Sequence, residues 1–122
     1  MPFDDRARLL TKLTFRKSER LGRREFRRAK WKKQASTPHF LLFTSGNPGP
    51  DKRFGVVIQR KIKGAVLRNR MRRLLKEFFR LNKDLFEDRH DYYVRIIRTP
   101  ERIRWDAMST ELRVLAGGTV AQ

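Results

Sequence analysis

Residues 65–81 constrain the chain more than any other stretch. Leu67, Met71, Leu74, Leu75 and Phe78 recur at steps of 4, 3, 1 and 3, which is one continuous stripe at helical period. Arg68, Arg72, Lys76 and Arg80 recur every four residues on a different face, with Arg70 and Arg73 beside them. Burying the five apolar side chains contributes roughly 1.5–3 kcal/mol each before entropy is charged. Such a helix needs a packed layer on one side and solvent, or a polyanion, on the other.

The rest of the chain supplies that layer. Residues 40–44 are apolar between turn formers and read as a strand. Residues 53–59 read as a second, with Val56, Val57 and Ile58 giving β-branched density that predicts burial on both faces. Residues 91–98 hold Tyr92, Tyr93, Val94, Ile96 and Ile97 and predict a third. Gly46 to Asp51 form a loop by composition. Trp105, Met108, Leu112 and Leu115 mark a final amphipathic helix that ends near Gly117-Gly118. Residues 23–34 predict a first helix, with Phe26, Ala29 and the stem of Lys30 on one face. Its like charges at i, i+4, such as Arg24–Arg28, each cost a few tenths of a kcal/mol that a polyanion would relieve. The order helix, strand, strand, helix, strand, helix predicts an α+β fold. It is one domain spanning residues 1–122, an α/β sandwich with helices packed on a mixed central sheet. Residues 1–15 read as an irregular basic arm and 117–122 as a tail.

Charge narrows the partner. The 122 residues carry 31 Lys+Arg against 13 Asp+Glu, a net of +18. Residues 1–35 hold 13 basic and 4 acidic residues, and residues 52–83 hold 12 basic residues and one acid, Glu77. The final third is close to neutral. Two blocks of charge imply a basic face on a folded body working beside a polyanion. The absence of cysteine excludes a disulfide scaffold, a thiolate zinc site and a cysteine nucleophile. No apolar run approaches the roughly 18 residues of a membrane span. The N-terminus carries Asp4 and Asp5 and lacks the apolar stretch of a secretory signal, so a cytoplasmic location with no membrane partner is expected.

No catalytic constellation is visible. His39 and His90 lack flanking ligands and read as surface or strand-end residues. Asp51 followed by Gln59-Arg60-Lys61 echoes a metal-dependent nuclease only faintly, because a neutral Gln stands where a carboxylate is needed. Asp84, Glu87, Asp88 and Asp91 read as capping and loop acids, with outer-sphere Mg²⁺ binding as the alternative. No catalytic and no metal-ligating residues are therefore assigned. The sharp feature is Arg68-Asn69-Arg70-Met71-Arg72-Arg73, which opens the best helix. Guanidinium groups grip phosphates bidentately and stack on bases. Phe26 and Phe43 are candidates for stacking on single-stranded or irregular RNA, with core packing as the alternative.

Two segments carry a resemblance. They are Arg53-Phe54-Gly55-Val56-Val57-Ile58-Gln59-Arg60-Lys61 and Gly64-Ala65-Val66-Leu67-Arg68-Asn69-Arg70-Met71-Arg72-Arg73-Leu74-Leu75-Lys76-Glu77. They resemble the protein component of bacterial ribonuclease P, and the likeness runs from about Leu21 to about Leu115. The resemblance implies a ribosomal-protein-like sandwich with a left-handed β-α-β crossover around the Arg-Asn-Arg helix. It implies a protein subunit of an endonuclease whose RNA subunit is the catalyst and removes the 5′ leader of precursor tRNA. Partners would be the ribonuclease P RNA and precursor tRNA, with no obligate protein partner. Mg²⁺ would serve the holoenzyme, held mainly by RNA, and no organic cofactor is implied. Carried over by position, Arg68, Asn69, Arg70, Arg72, Arg73 and Lys76 would face the catalytic RNA. Phe26 and Phe43 would line the leader cleft, with Arg60 and Lys61 at its edge. The chain departs from the family pattern at Lys63-Gly64, where the glycine comes one residue late. It departs again at Lys30, which stands in a usual aromatic position beside Trp31. A ribosomal or other structural RNA-binding protein would share the charge and the fold class.

Overall fold

A computed structural model describes residues 15–117. Four strands form one sheet: β1 (Lys32–Ser36), β2 (Phe40–Gly46), β3 (Arg53–Ile58) and β4 (His90–Ile96). Their order is β1-β2-β4-β3, with β3 parallel to β4 and the other pairs antiparallel. Helix α1 (Arg23–Arg28) precedes the sheet, α2 (Ala65–Leu81) connects β3 to β4, and α3 (Trp105–Gly117) closes the chain. The parallel pair joined through α2 is the β-α-β unit. The fold is the expected α+β sandwich with a mixed sheet. Apart from Phe15 and Gly117, the expected arm and tail lie outside the described residues.

Pleating divides the sheet into two faces. Phe40, Leu42, Tyr92, Val94 and Ile96 share one face with Phe54 and Ile58, and all seven are buried. The stripe on α2 meets this face through Met71, Leu75 and Phe78, joined by Phe79, whose ring stacks on Phe54 at 4.7 Å. Helix α3 adds Met108, Leu112 and Leu115 over β2 and β1. Glu111 of α3 accepts from the His39 backbone N–H at 3.0 Å and the Thr37 hydroxyl at 2.6 Å, which fixes the β1–β2 turn.

Three expectations are corrected. The first helix ends at Arg28, with Ala29 extended at φ −66°, ψ 145°, instead of running to residue 34. Phe26 is its only large apolar residue, and the repulsion between its own arginines opposes a longer helix. Lys32–Ser36 then pairs with β2 and supplies a fourth strand inside the stretch that reads as helix in the sequence. Finally, β3 is buried only on the core side. Gly55 and Val57 point the other way and remain half-buried.

A strap of chain covers the outer edge of β3. The Leu21 N–H donates to the Phe54 carbonyl at 3.1 Å, and Phe15 packs edge-on against Phe79 at 5.5 Å. The strap crosses from the core face to the opposite face and delivers α1 there. Gly55 permits this, because a Cβ at that position would sit 3.2 Å from Leu21. Glu19 pins the strap: its buried carboxylate takes the Lys83 ammonium at 2.8 Å and the Arg16 N–H at 2.9 Å. Among the described residues no helix is long and apolar enough to cross a membrane.

Candidate nucleic-acid interface

The face of the sheet turned away from the core carries an aromatic cleft. Tyr92 and Tyr93 are adjacent on β4, so pleating sends one ring into the core and the other outward. Phe43, paired with Tyr93 across β2 and β4, stacks on it at 4.7 Å with 10° between the rings. Phe26 of α1 meets the same tyrosine at 4.9 Å, and Trp31 meets it edge-on at 4.7 Å. The Trp31 indole donates to the Phe26 carbonyl at 2.9 Å, which locks the wall just beyond the end of α1. Phe26 and Phe43 therefore come together on Tyr93 and lie outside the hydrophobic core. Tyr93 itself was not among the residues singled out from sequence. The signal for it was the Tyr-Tyr pair in a strand, which forces one ring onto each face. Trp31, next to Lys30, contributes a further ring to this cluster.

Beside this floor opens a groove of about 340 Å³ lined by Leu21, Gly22, Arg23, Phe26 and Arg27 on one side and Gly55, Val57 and Tyr93 on the other. Arg23, Arg24, Arg27 and Arg28 surround a second hollow on α1. Helix α1 is held against the sheet by charge. Arg53 of β3 donates to both oxygens of buried Asp91, at 2.7 and 2.9 Å, and reaches Glu25 of α1 at 3.5 Å. Burial pushes the Tyr93 hydroxyl above its ordinary pKa, against the opposing pull of Arg95. It is neutral at physiological pH, and at 7% exposure it is the buried base on which the more exposed rings of the cleft rest.

The second basic surface is the outer side of α2. Asn69, Arg70, Arg73 and Lys76 are exposed and Arg72 is half-buried. None of the five side chains makes a hydrogen bond or ion pair among the described residues. Glu77, the only acid on the helix, is engaged by Arg80. Arg68 differs: its guanidinium donates to the carbonyls of Ile62 at 2.7 Å and Gln59 at 3.3 Å. It clamps the turn before α2 onto the helix, and Gly64, at φ 104° and ψ 111°, makes that turn. Arg60 and Lys61 are exposed just past the end of β3, where the two surfaces meet around the sheet edge.

The acids singled out from sequence disperse. Asp91 is bound to Arg53 and Asn47, Asp88 to Lys52 at 3.3 Å, and Asp51 lies 3.7 Å from Arg16. Among the described residues no group of three His, Asp or Glu side chains could hold a metal ion.

A model of the family described as Ribonuclease P matches residues 15–119. The chain belongs to the ribonuclease P protein family. A ribonuclease P protein component from Syntrophus aciditrophicus (strain SB) is 36% identical over 108 residues, covering 87% of this chain and 91% of its own. Another, from Geotalea uraniireducens (strain Rf4), is 32% identical over 84% of this chain and 92% of its own. The RNase P protein from Thermotoga maritima matches with a TM-score of 0.65 at 26% identity, over 81% of this chain and 96% of that one. As a ribonuclease P protein, the chain is the protein subunit of an endoribonuclease ribonucleoprotein, which makes the ribonuclease P RNA its partner.

Proposed function

We propose that this ribonuclease P protein binds the catalytic RNA through α2 and the single-stranded 5′ leader of precursor tRNA through the aromatic cleft. In doing so it assists Mg²⁺-dependent removal of the leader, with the metal held mainly by RNA. The observation that carries the reading is the cleft: a stacked Phe43–Tyr93 floor walled by Phe26 and Trp31, flanked by Arg23 and Arg27. Aromatic faces accept any base by stacking, and the neighbouring guanidiniums accept the backbone charge. Arg60 and Lys61 extend the positive edge toward α2. There Arg70, Arg72, Arg73 and Lys76, with Asn69, present donors that no acid neutralises. Arg68 acts chiefly by holding the helix start in place.

Chemistry stays with the RNA in this reading. The protein contributes position and charge, which lower the Mg²⁺ concentration that the folded RNA and bound substrate require. Reconstitution with the matching RNA subunit tests it. Adding the protein is expected to permit precursor-tRNA cleavage at Mg²⁺ concentrations where the RNA alone is inactive. Equal cleavage with and without protein across the Mg²⁺ range would refute the reading.

A further inference from the structure

Arg95 stands out on the cleft face of the sheet. It lies two residues beyond Tyr93 on β4, and its cross-strand neighbours are Leu41 on β2 and Val57 on β3. Its surroundings on that face are therefore aromatic and aliphatic. Among the described residues its side chain makes no hydrogen bond or ion pair, and its Nε–H is buried without a partner. This contrasts with Arg53 on the same face, which is fully engaged by Asp91 and Glu25. A buried donor left unmade costs about 1–3 kcal/mol, and a sheet position flanked by Leu and Val accepts an aliphatic residue more cheaply. A cation kept at such a cost fits a site that is completed by a ligand.

Building on the proposed leader-binding role, we propose that Arg95 is a specificity-determining residue of the cleft. It grips a phosphodiester of the single-stranded leader one step past the stacked floor. Two residues along a strand span about 6.7 Å, close to one nucleotide of an extended chain. A base stacked against Phe43, the partly exposed ring of the pair, thus leaves its neighbouring phosphate over Arg95. The Nε–H and one terminal N–H of a guanidinium form the fork that matches two phosphate oxygens, and a small swing of the side chain exposes it. Because β3 and β4 are parallel, the same end of the sheet carries Arg60 and Lys61. Arg95 joins the aromatic floor to that basic edge and gives the strand a continuous track.

The test uses the reconstituted holoenzyme and measures affinity for precursor tRNA and for leaderless mature tRNA as salt is varied. Arg95→Met is expected to weaken leader-bearing substrate roughly tenfold and leave mature tRNA unchanged. Its salt slope should fall by about 0.7, the value for one phosphate of a single strand. Thermal unfolding of the protein should occur at the same or higher temperature, because an unmet donor has been removed. Arg95→Lys keeps the charge and is expected to retain the slope while losing part of the affinity. It also provides the reading if Arg95→Met does not fold. Unchanged affinity and slope in both variants, or equal loss on both substrates, would overturn the assignment. Failure of the wild-type holoenzyme to favour leader-bearing substrate would instead overturn the leader-binding role on which it rests.

Discussion

Asp91 ties the functional cleft to the fold, so its removal should be felt in both. Its carboxylate is 2% exposed and accepts three charged or polar donors: Arg53 Nε at 2.7 Å, Arg53 Nη2 at 2.9 Å and Asn47 Nδ2 at 2.8 Å. Removing one member of a buried pair costs about 3–5 kcal/mol, because the remaining charge is left uncompensated. Here Arg53 retains 23% exposure and a second acid, Glu25, at 3.5 Å. Those two features reduce the expected cost of Asp91→Asn to about 2–4 kcal/mol. Arg53→Met should cost at least as much, because it leaves a carboxylate that is 2% exposed with only the neutral Asn47 amide. The double variant should be more stable than the sum of the two single changes implies, by about 1.5 kcal/mol or more. Urea unfolding of the four proteins measures the cycle. Arg53→Met also releases Glu25, so α1 loses a tether and the wall bearing Phe26 loosens. Weaker leader affinity should accompany the stability loss. A cost below about 1 kcal/mol for Asp91→Asn, with strictly additive singles, would show that the network positions nothing.

Three further outcomes follow from particular geometry. Burial alone would raise the Glu19 pKa, but the Lys83 ammonium, the Arg16 N–H and the Arg16 charge outweigh it and leave the carboxyl below its ordinary 4.5. Its stabilising contribution is therefore present above pH 4.5 and lost as pH falls through the lowered value. Acid unfolding of Glu19→Gln should show a shallower pH dependence in that window, and an unchanged profile would refute the assignment. Gly64→Ala forces a φ of 104° on a residue with a Cβ and should cost about 1–2 kcal/mol, read as a lower unfolding temperature. The double change Arg70→Ala, Arg73→Ala should flatten the salt dependence of RNA binding without altering stability. Arg68→Ala should lower stability as well, because the carbonyls of Gln59 and Ile62 lose their clamp.

Legibility in the sequence tracked how much each residue's environment is decided locally. Helix α2 was readable to its ends because its stripe, cations and bounding Gly64 all agree at one period. Strands β2 and β4 were readable from apolar density. Strand β1 was not. It is an edge strand, and Lys32, Lys33 and Gln34 are exposed, so its sequence looks like the continuation of a charged helix. Half the cleft was legible for a similar reason. Phe26 and Phe43 are aromatics amid basic sequence, whereas Tyr93 needed the pleat to be applied to a Tyr-Tyr pair. Arg68 could not be told from Arg70 by type or spacing. Only the turn at Gly64 brings two carbonyls under it. Arg95 depends on the strand order, since Leu41 and Val57 become its neighbours only when β4 lies between β2 and β3.

The strand order also gives the +18 charge its geometry. Helix α2 packs on the core face, while α1 and the aromatic cleft occupy the other. The described cations of α1 and α2 therefore do not form the single basic face that the two blocks of charge imply. Among the described residues, the arginines of α1 and the outward cations of α2 lie on opposite sides of the sheet, with Arg60 and Lys61 just past the end of β3 between them. A single rigid A-form duplex cannot press on both sides at once. In the proposed role, the rigid catalytic RNA takes the convex helix α2, where fixed cations suit fixed phosphates. The flexible leader takes the concave cleft, where stacking selects for a strand that can unstack. Edge strand β3, already covered by the strap from Phe15 to Gly22, is the partition between them. Loosening that strap by losing Glu19 or Lys83 would therefore disturb the leader side before the α2 side, since the strap carries α1 and not α2.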